Sequence, residues 1–211
     1  MDRERDSEVV TIMSTLGPPF LELEYYIGRA ELETTVHRLV DGVQPGLVPS
    51  KLVIPKAVGL SPKLEELIVI GGVIILRTEG EAFCGPFRDN RKRLKKLGRR
   101  VYQRFVEVAD AIPCVYGAIL VEYSLEEPKK LRQDPRSLAF CDFFLSRERL
   151  ENKAIEEAIR LAGDEAYVES RASGVYISMT PEFNPNGRSI PSPESQWRSA
   201  RISAVIGRAA R

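Results

Sequence analysis

Ile68-Val69-Ile70-Gly71-Gly72-Val73-Ile74-Ile75-Leu76 is the most strand-like run in this chain of 211 residues. It is apolar at consecutive positions and not at alternate ones, the mark of a strand covered on both faces and therefore central in its sheet. The glycine pair reads as a bulge or a close backbone approach within that strand. It is not a phosphate loop, which needs its glycines between a strand and a helix. A strand buried on both sides calls for helices above and below the sheet.

On the N-terminal side, Glu8 to Ser14 is short and β-branched, and Gly17-Pro18-Pro19 turns the chain. Leu21, Leu23 and Tyr25 then alternate with Glu22 and Glu24, the period of a half-exposed strand, so the two segments predict an N-terminal hairpin. Leu32, Val36, Leu39, Val40 and Val43 recur at helical spacing, Lys51 to Pro55 reads as a short strand, and Ser61-Pro62 reads as the start of a helix through Lys63–Glu66. Gly80 and Gly85-Pro86 bracket a returning strand through Phe83.

On the C-terminal side, the longest helix is expected from Asp89 to Ile112. Leu94, Leu97, Val101, Phe105 and Val108 form its apolar stripe, Gly98 interrupts it, and Pro113 ends it. Cys114–Tyr123 and Leu138–Leu145 read as buried strands, with a loop over Glu126–Arg136 between them. Arg149–Leu161 reads as a helix closed by Gly163. Tyr167–Glu169 and Val175–Met179 form a C-terminal hairpin through Ser173-Gly174. Residues 183–193 are a turn-rich loop, and a last helix runs through Trp197, Val205 and Ile206. The expectation is an α+β fold: a mixed sheet covered by helices, one domain over 1–211 with 183–211 as an appendage at most.

Composition narrows the function classes. With 43% hydrophobic and 29% charged residues, the chain has the make-up of a globular protein. Three cysteines, Cys84, Cys114 and Cys141, lie too far apart for a zinc ligand set and make no secreted disulfide framework, which fits a reducing cytoplasm. The N-terminus lacks a signal-peptide pattern, and the longest apolar run is about half a membrane crossing. No cofactor or metal motif is present.

Charge is unevenly placed. Residues 88–104 hold nine Lys/Arg against one Asp, whereas residues 1–86 hold eight cations against thirteen acids, and the whole chain nets +1. Arg88, Arg91, Lys92, Arg93, Lys95, Lys96, Arg99, Arg100 and Arg104 therefore form the candidate partner-binding surface, either for an acidic protein or for a phosphate backbone. The bland alternative pairs these cations with the chain's own acids, among them Glu22, Glu24, Glu31, Glu33, Glu65 and Glu66. Nearby aromatics are few, Tyr102 and Phe87, which disfavours base stacking on a single strand.

Two carboxylates stand in apolar strands, Glu122 and Asp142. Converging, they would make an acid/base pair or a magnesium site. Ser124 occupies the place of the lysine in a nuclease Glu-x-Lys pattern, so structural pairing of these carboxylates, with Arg136 or Arg147, is the simpler reading. His37, the only histidine, builds no site by itself, and Cys84 lacks a neighbouring base. The ranking is a non-catalytic interaction protein of the immunity, antitoxin or accessory-factor type, then a nucleic-acid binder using residues 88–104, then a carboxylate-dependent hydrolase or nuclease.

Overall fold

The apolar run is two strands and a turn. In the computed structural model, which describes residues 20–39, 51–54, 65–79, 91–121, 125–135, 142–180, 183 and 192–210, β3 (Glu65–Ile70) and β4 (Val73–Glu79) form an antiparallel hairpin closed by Ile70↔Val73. Gly71 at φ +60 is the first residue of the two-residue loop, the position where a type II′ turn demands positive φ. The glycine pair is thus the hairpin turn, and not a bulge within one strand. Both halves are apolar on both faces, so periodicity gave no boundary; only the turn chemistry of two adjacent glycines marks one. The turn is anchored as well, since the N–H groups of Ile27 and Gly28 donate to the Gly72 carbonyl at 2.9 and 3.2 Å.

The hairpin lies toward one end of an eight-stranded sheet ordered β2-β3-β4-β1-β5-β6-β8-β7. Here β1 is Phe20–Tyr26, β2 Lys51–Ile54, β5 Tyr116–Val121, β6 Asp142–Ser146, β7 Tyr167–Ser170 and β8 Gly174–Ser178. Every pairing is antiparallel. The α+β class is as the sequence reads, but the sheet is not mixed. The middle belongs to β1 and β5, with β1 held between β4 and β5.

Helices cover both faces. On one, Leu21, Leu23 and Tyr25 of β1 meet Leu94, Val101, Phe105 and Val108 of α2 (Arg91–Ala111), with Val36 of α1 (Leu32–Leu39). On the other, Ala118 and Leu120 of β5 and Phe143 and Leu145 of β6 meet Leu131 of α3 (Pro128–Gln133), Ile155, Ala158 and Leu161 of α4 (Asn152–Ala162), and Ile202, Val205 and Ile206 of α5 (Ser192–Ala209). The two covers have a consequence for β1. A strand between two helical layers has no solvent side, so Glu22 and Glu24 are buried, at 4% and 0% exposure, and the expectation of a half-exposed strand is corrected.

Other expectations meet the structure as follows. The C-terminal hairpin is β7–β8, and the stripe of α2 is buried as its spacing requires. Glu65 and Glu66 belong to β3, not to a helix. Within Glu126–Arg136, read as a loop, α3 begins at Pro128, the ring's fixed φ suiting a first helical position. α4 ends at Gly163, whose φ of +84 suits a helix stop. α5 packs on α3 and α4, and its Ile202 and Ile206 are buried among them. The strands expected at 8–14 and around Phe83, and the loop 184–191, lie outside the described residues.

Candidate functional site

The basic helix divides along its length. Arg91, Lys92 and Arg93 occupy its first turn, which holds no acid to complement the helix dipole. Lys95, Lys96, Arg99 and Arg100 are exposed, and Arg104 is half-buried. Among the described residues Lys95, Lys96 and Arg99 form no salt bridge, while Arg100 and Arg104 each interact within the protein itself. Arg88 lies outside the described residues.

Two of the acids expected to neutralise this helix, Glu22 and Glu31, are ion-paired to other arginines. Glu22 accepts from the Arg77 guanidinium at 2.6 Å on the sheet face opposite α2. Glu31 accepts from Arg149 at 2.5 Å. Asp110 and Glu169 share Arg171, at 2.5 and 2.7 Å. Arg198 lies between Glu165 and Glu194, and Arg208 is 3.6 Å from Glu157.

The aromatic neighbour of the basic face is also occupied. Tyr102 donates to Glu169 and packs on Tyr176 at 4.9 Å between ring centroids. Burial raises its pKa, and so does the hydrogen bond to Glu169. Burial opposes ionisation of Glu169, but hydrogen bonds from Tyr102, Tyr167 and Arg171 outweigh it and hold the carboxyl below its usual range.

Asp142 is buried, and two hydroxyls donate to it; Arg136, one of the two arginines expected beside it, lies outside the described residues. Tyr176 Oη donates to Oδ1 at 3.0 Å and Thr180 Oγ1 to Oδ2 at 2.5 Å. Arg147 instead reaches Ser170 at 3.3 Å. Glu122, Arg136, Phe87, Cys84, Cys141 and the side chain of His37 lie outside the described residues, so convergence of Glu122 with Asp142 lies outside them too. Cys114 is buried, and burial pushes its thiol pKa up, the opposite of an activated nucleophile.

The carboxyl that sequence reasoning missed is Glu24. Its Oε2 accepts the Leu125 N–H at 2.7 Å, and its Oε1 is buried with no N–H donor among the described residues to meet it, the Glu22 carboxyl lying beside it. Burial pushes its pKa up to about 8; the Leu125 hydrogen bond works against this, and the negative charge of Glu22 adds to it. Glu24 forms part of the lining of a cavity of about 450 Å³, with Val73, Ile75 and Leu125 as apolar wall and Glu126, Glu127, Lys129 and Lys130 among its other residues. A signal for this was present in the sequence. Runs apolar on both faces, such as Val73–Leu76, imply a sheet covered twice, and any glutamate on a strand between such runs is then inside.

Among the described residues no group of three or more His, Cys, Asp or Glu side chains is placed to hold a metal ion. No described helix is long and apolar enough to cross a membrane. Comparison of the chain with protein-family models, with curated proteins and with solved structures found no match.

Proposed function

We propose that this protein is a non-catalytic binding protein that docks an acidic protein surface through the outward face of α2. One observation carries the reading: Lys95, Lys96 and Arg99 are exposed and without salt bridges among the described residues, while acids elsewhere are committed to other arginines. Adjacent like charges on a helix destabilise it by a few tenths of a kcal/mol per pair, so an anionic partner would relieve a repulsion that the fold leaves in place. Lys95 and Arg99 stand four residues apart, one turn of helix, and Lys96 extends the patch sideways.

A protein partner is favoured over a single-stranded nucleic acid because Tyr102, the described aromatic beside the patch, is held in the Glu169–Tyr176 cluster. It is not free to stack on bases, and stacking is what single-strand binders rely on. The test is capture from native lysate with and without nuclease, in parallel with a Lys95→Ala/Lys96→Ala/Arg99→Ala variant. The reading expects a protein partner that survives nuclease, weakens as salt rises, and is lost with the variant. Capture that nuclease abolishes would transfer the surface to nucleic acid.

A further inference from the structure

The outward face of α2 carries acids as well as cations, and the two are sorted along its length. Lys96, Arg99, Gln103, Glu107 and Asp110 are all exposed. Steps of three and four residues keep them on one side of the helix. Charge changes sign once along this line, at Gln103, and the pattern is symmetric about that residue. Arg99 stands four residues before it and Glu107 four after; Lys96 stands seven before and Asp110 seven after.

Such a face complements itself when turned end for end. A second copy of the helix laid antiparallel, with a two-fold axis at Gln103, sets Arg99 against Glu107 and Lys96 against Asp110, and symmetry makes each contact twice. The two Gln103 amides meet on the axis, where each can both donate and accept. The same register sets Lys95 opposite Ala111 and Arg100 opposite Val106, so no cation faces a cation. Antiparallel helices also bring opposite ends of their dipoles together.

The surrounding charges leave the acidic end negative. Glu107 forms no salt bridge among the described residues. Asp110 carries Arg171, but Arg171 is shared with Glu169, two carboxylates against one guanidinium. Arg149 is ion-paired to Glu31. Arg147 bonds Ser170, which alternates to the face of β7 opposite Glu169 and Arg171. Toward the basic end, Arg100 and Arg104 interact within the protein itself, whereas Lys96 and Arg99 form no salt bridge among the described residues.

We propose that α2 pairs antiparallel, about a two-fold axis at Gln103, with α2 of a second copy of this chain. The inference rests on the reading that this face docks an acidic protein surface, and it names that surface as the Glu107–Asp110 end of the same helix. The exposed large hydrophobics among the described residues, Ile70, Val168 and Trp197, lie off this face. Pairing is therefore electrostatic, weak and screened by salt.

Sedimentation velocity of the purified full chain tests it. At low salt the sedimentation coefficient should rise with protein concentration, and high salt should return it to the monomer value. Arg99→Glu and Glu107→Arg each set like charges face to face, and each should move association to a concentration about tenfold higher or more. An equimolar mixture of the two variants re-forms every ion pair and should associate as wild type does. The double variant Arg99→Glu/Glu107→Arg should do so alone. Wild type that stays monomeric at low salt at every concentration would overturn the proposal, and that result needs no variant. So would association that neither reversal weakens, or a mixture and a double variant that both stay monomeric with wild-type melting temperatures. The underlying reading fails separately, when nuclease abolishes capture from lysate. Monomeric protein that still captures a nuclease-resistant partner through Lys95, Lys96 and Arg99 removes only the self-pairing.

Discussion

Glu24 ionises near 4.5 in a free chain and near 8 in the fold. Between those values the folded protein holds a proton that the unfolded chain has lost. The contribution of this residue is therefore whole below pH 4.5 and drains as pH climbs through 8. Urea unfolding of wild type should show this loss, on the order of 2–4 kcal/mol across the interval, relative to a Glu24→Gln variant that lacks it. Equal slopes for the two proteins would mean that Glu24 is charged in the fold. Neither this residue nor Glu22 is legible from alternation, because alternation reports only that two faces differ. What covers each face is decided by helices sixty or more residues further on. Asp142 teaches the same lesson in reverse: its burial was legible from apolar neighbours, but the hydroxyls that satisfy it, on Tyr176 and Thr180, sit more than thirty residues away.

At the scale of elements, α2 and the β3–β4 hairpin make opposite cases. The apolar stripe of α2, Leu94 to Val108, recurs over about four turns, and so long a period leaves little else for the segment to be. Packing, and not its surface, stabilises it, since cations crowd both its first turn and its outer face. Removing Lys95, Lys96 and Arg99 together to alanine should leave the fold intact and raise the melting temperature by a few degrees, corresponding to about 0.5–1 kcal/mol of relieved repulsion. A drop of several degrees would show that these side chains serve the fold. The hairpin has no such redundancy: each strand is short, both are apolar on the side of the turn, and two glycines alone carry the turn. Gly71 at φ +60 occupies a region that β-branched residues resist, so Gly71→Val should cost about 1–3 kcal/mol in urea unfolding. Glu127 adds little to that figure, because its carboxylate is the mobile end of a side chain.

For the molecule as a whole, the α+β class was legible from hairpin signals set among helical periods, whereas strand direction was not. Direction depends on which strands become neighbours, and β1 pairs with β4 and β5 across the intervening α1, β2, β3 and α2. The same layout leaves β7 at one rim, paired only with β8 among the described strands. Its fastening is lateral: Glu169 accepts from Tyr102 of α2 and from Arg171. The Glu169 carboxyl is held below its ordinary 4.5, so this clasp is complete above that pH and fails as acidity passes the lowered value. An open row of backbone amides is a template for a second chain. Concentrated solutions should therefore turn turbid on acidification and gain thioflavin-positive material, and the onset should move toward neutrality when Glu169 is replaced by glutamine. The rim strand depends for its good behaviour on one anion and the phenol that reaches over to it.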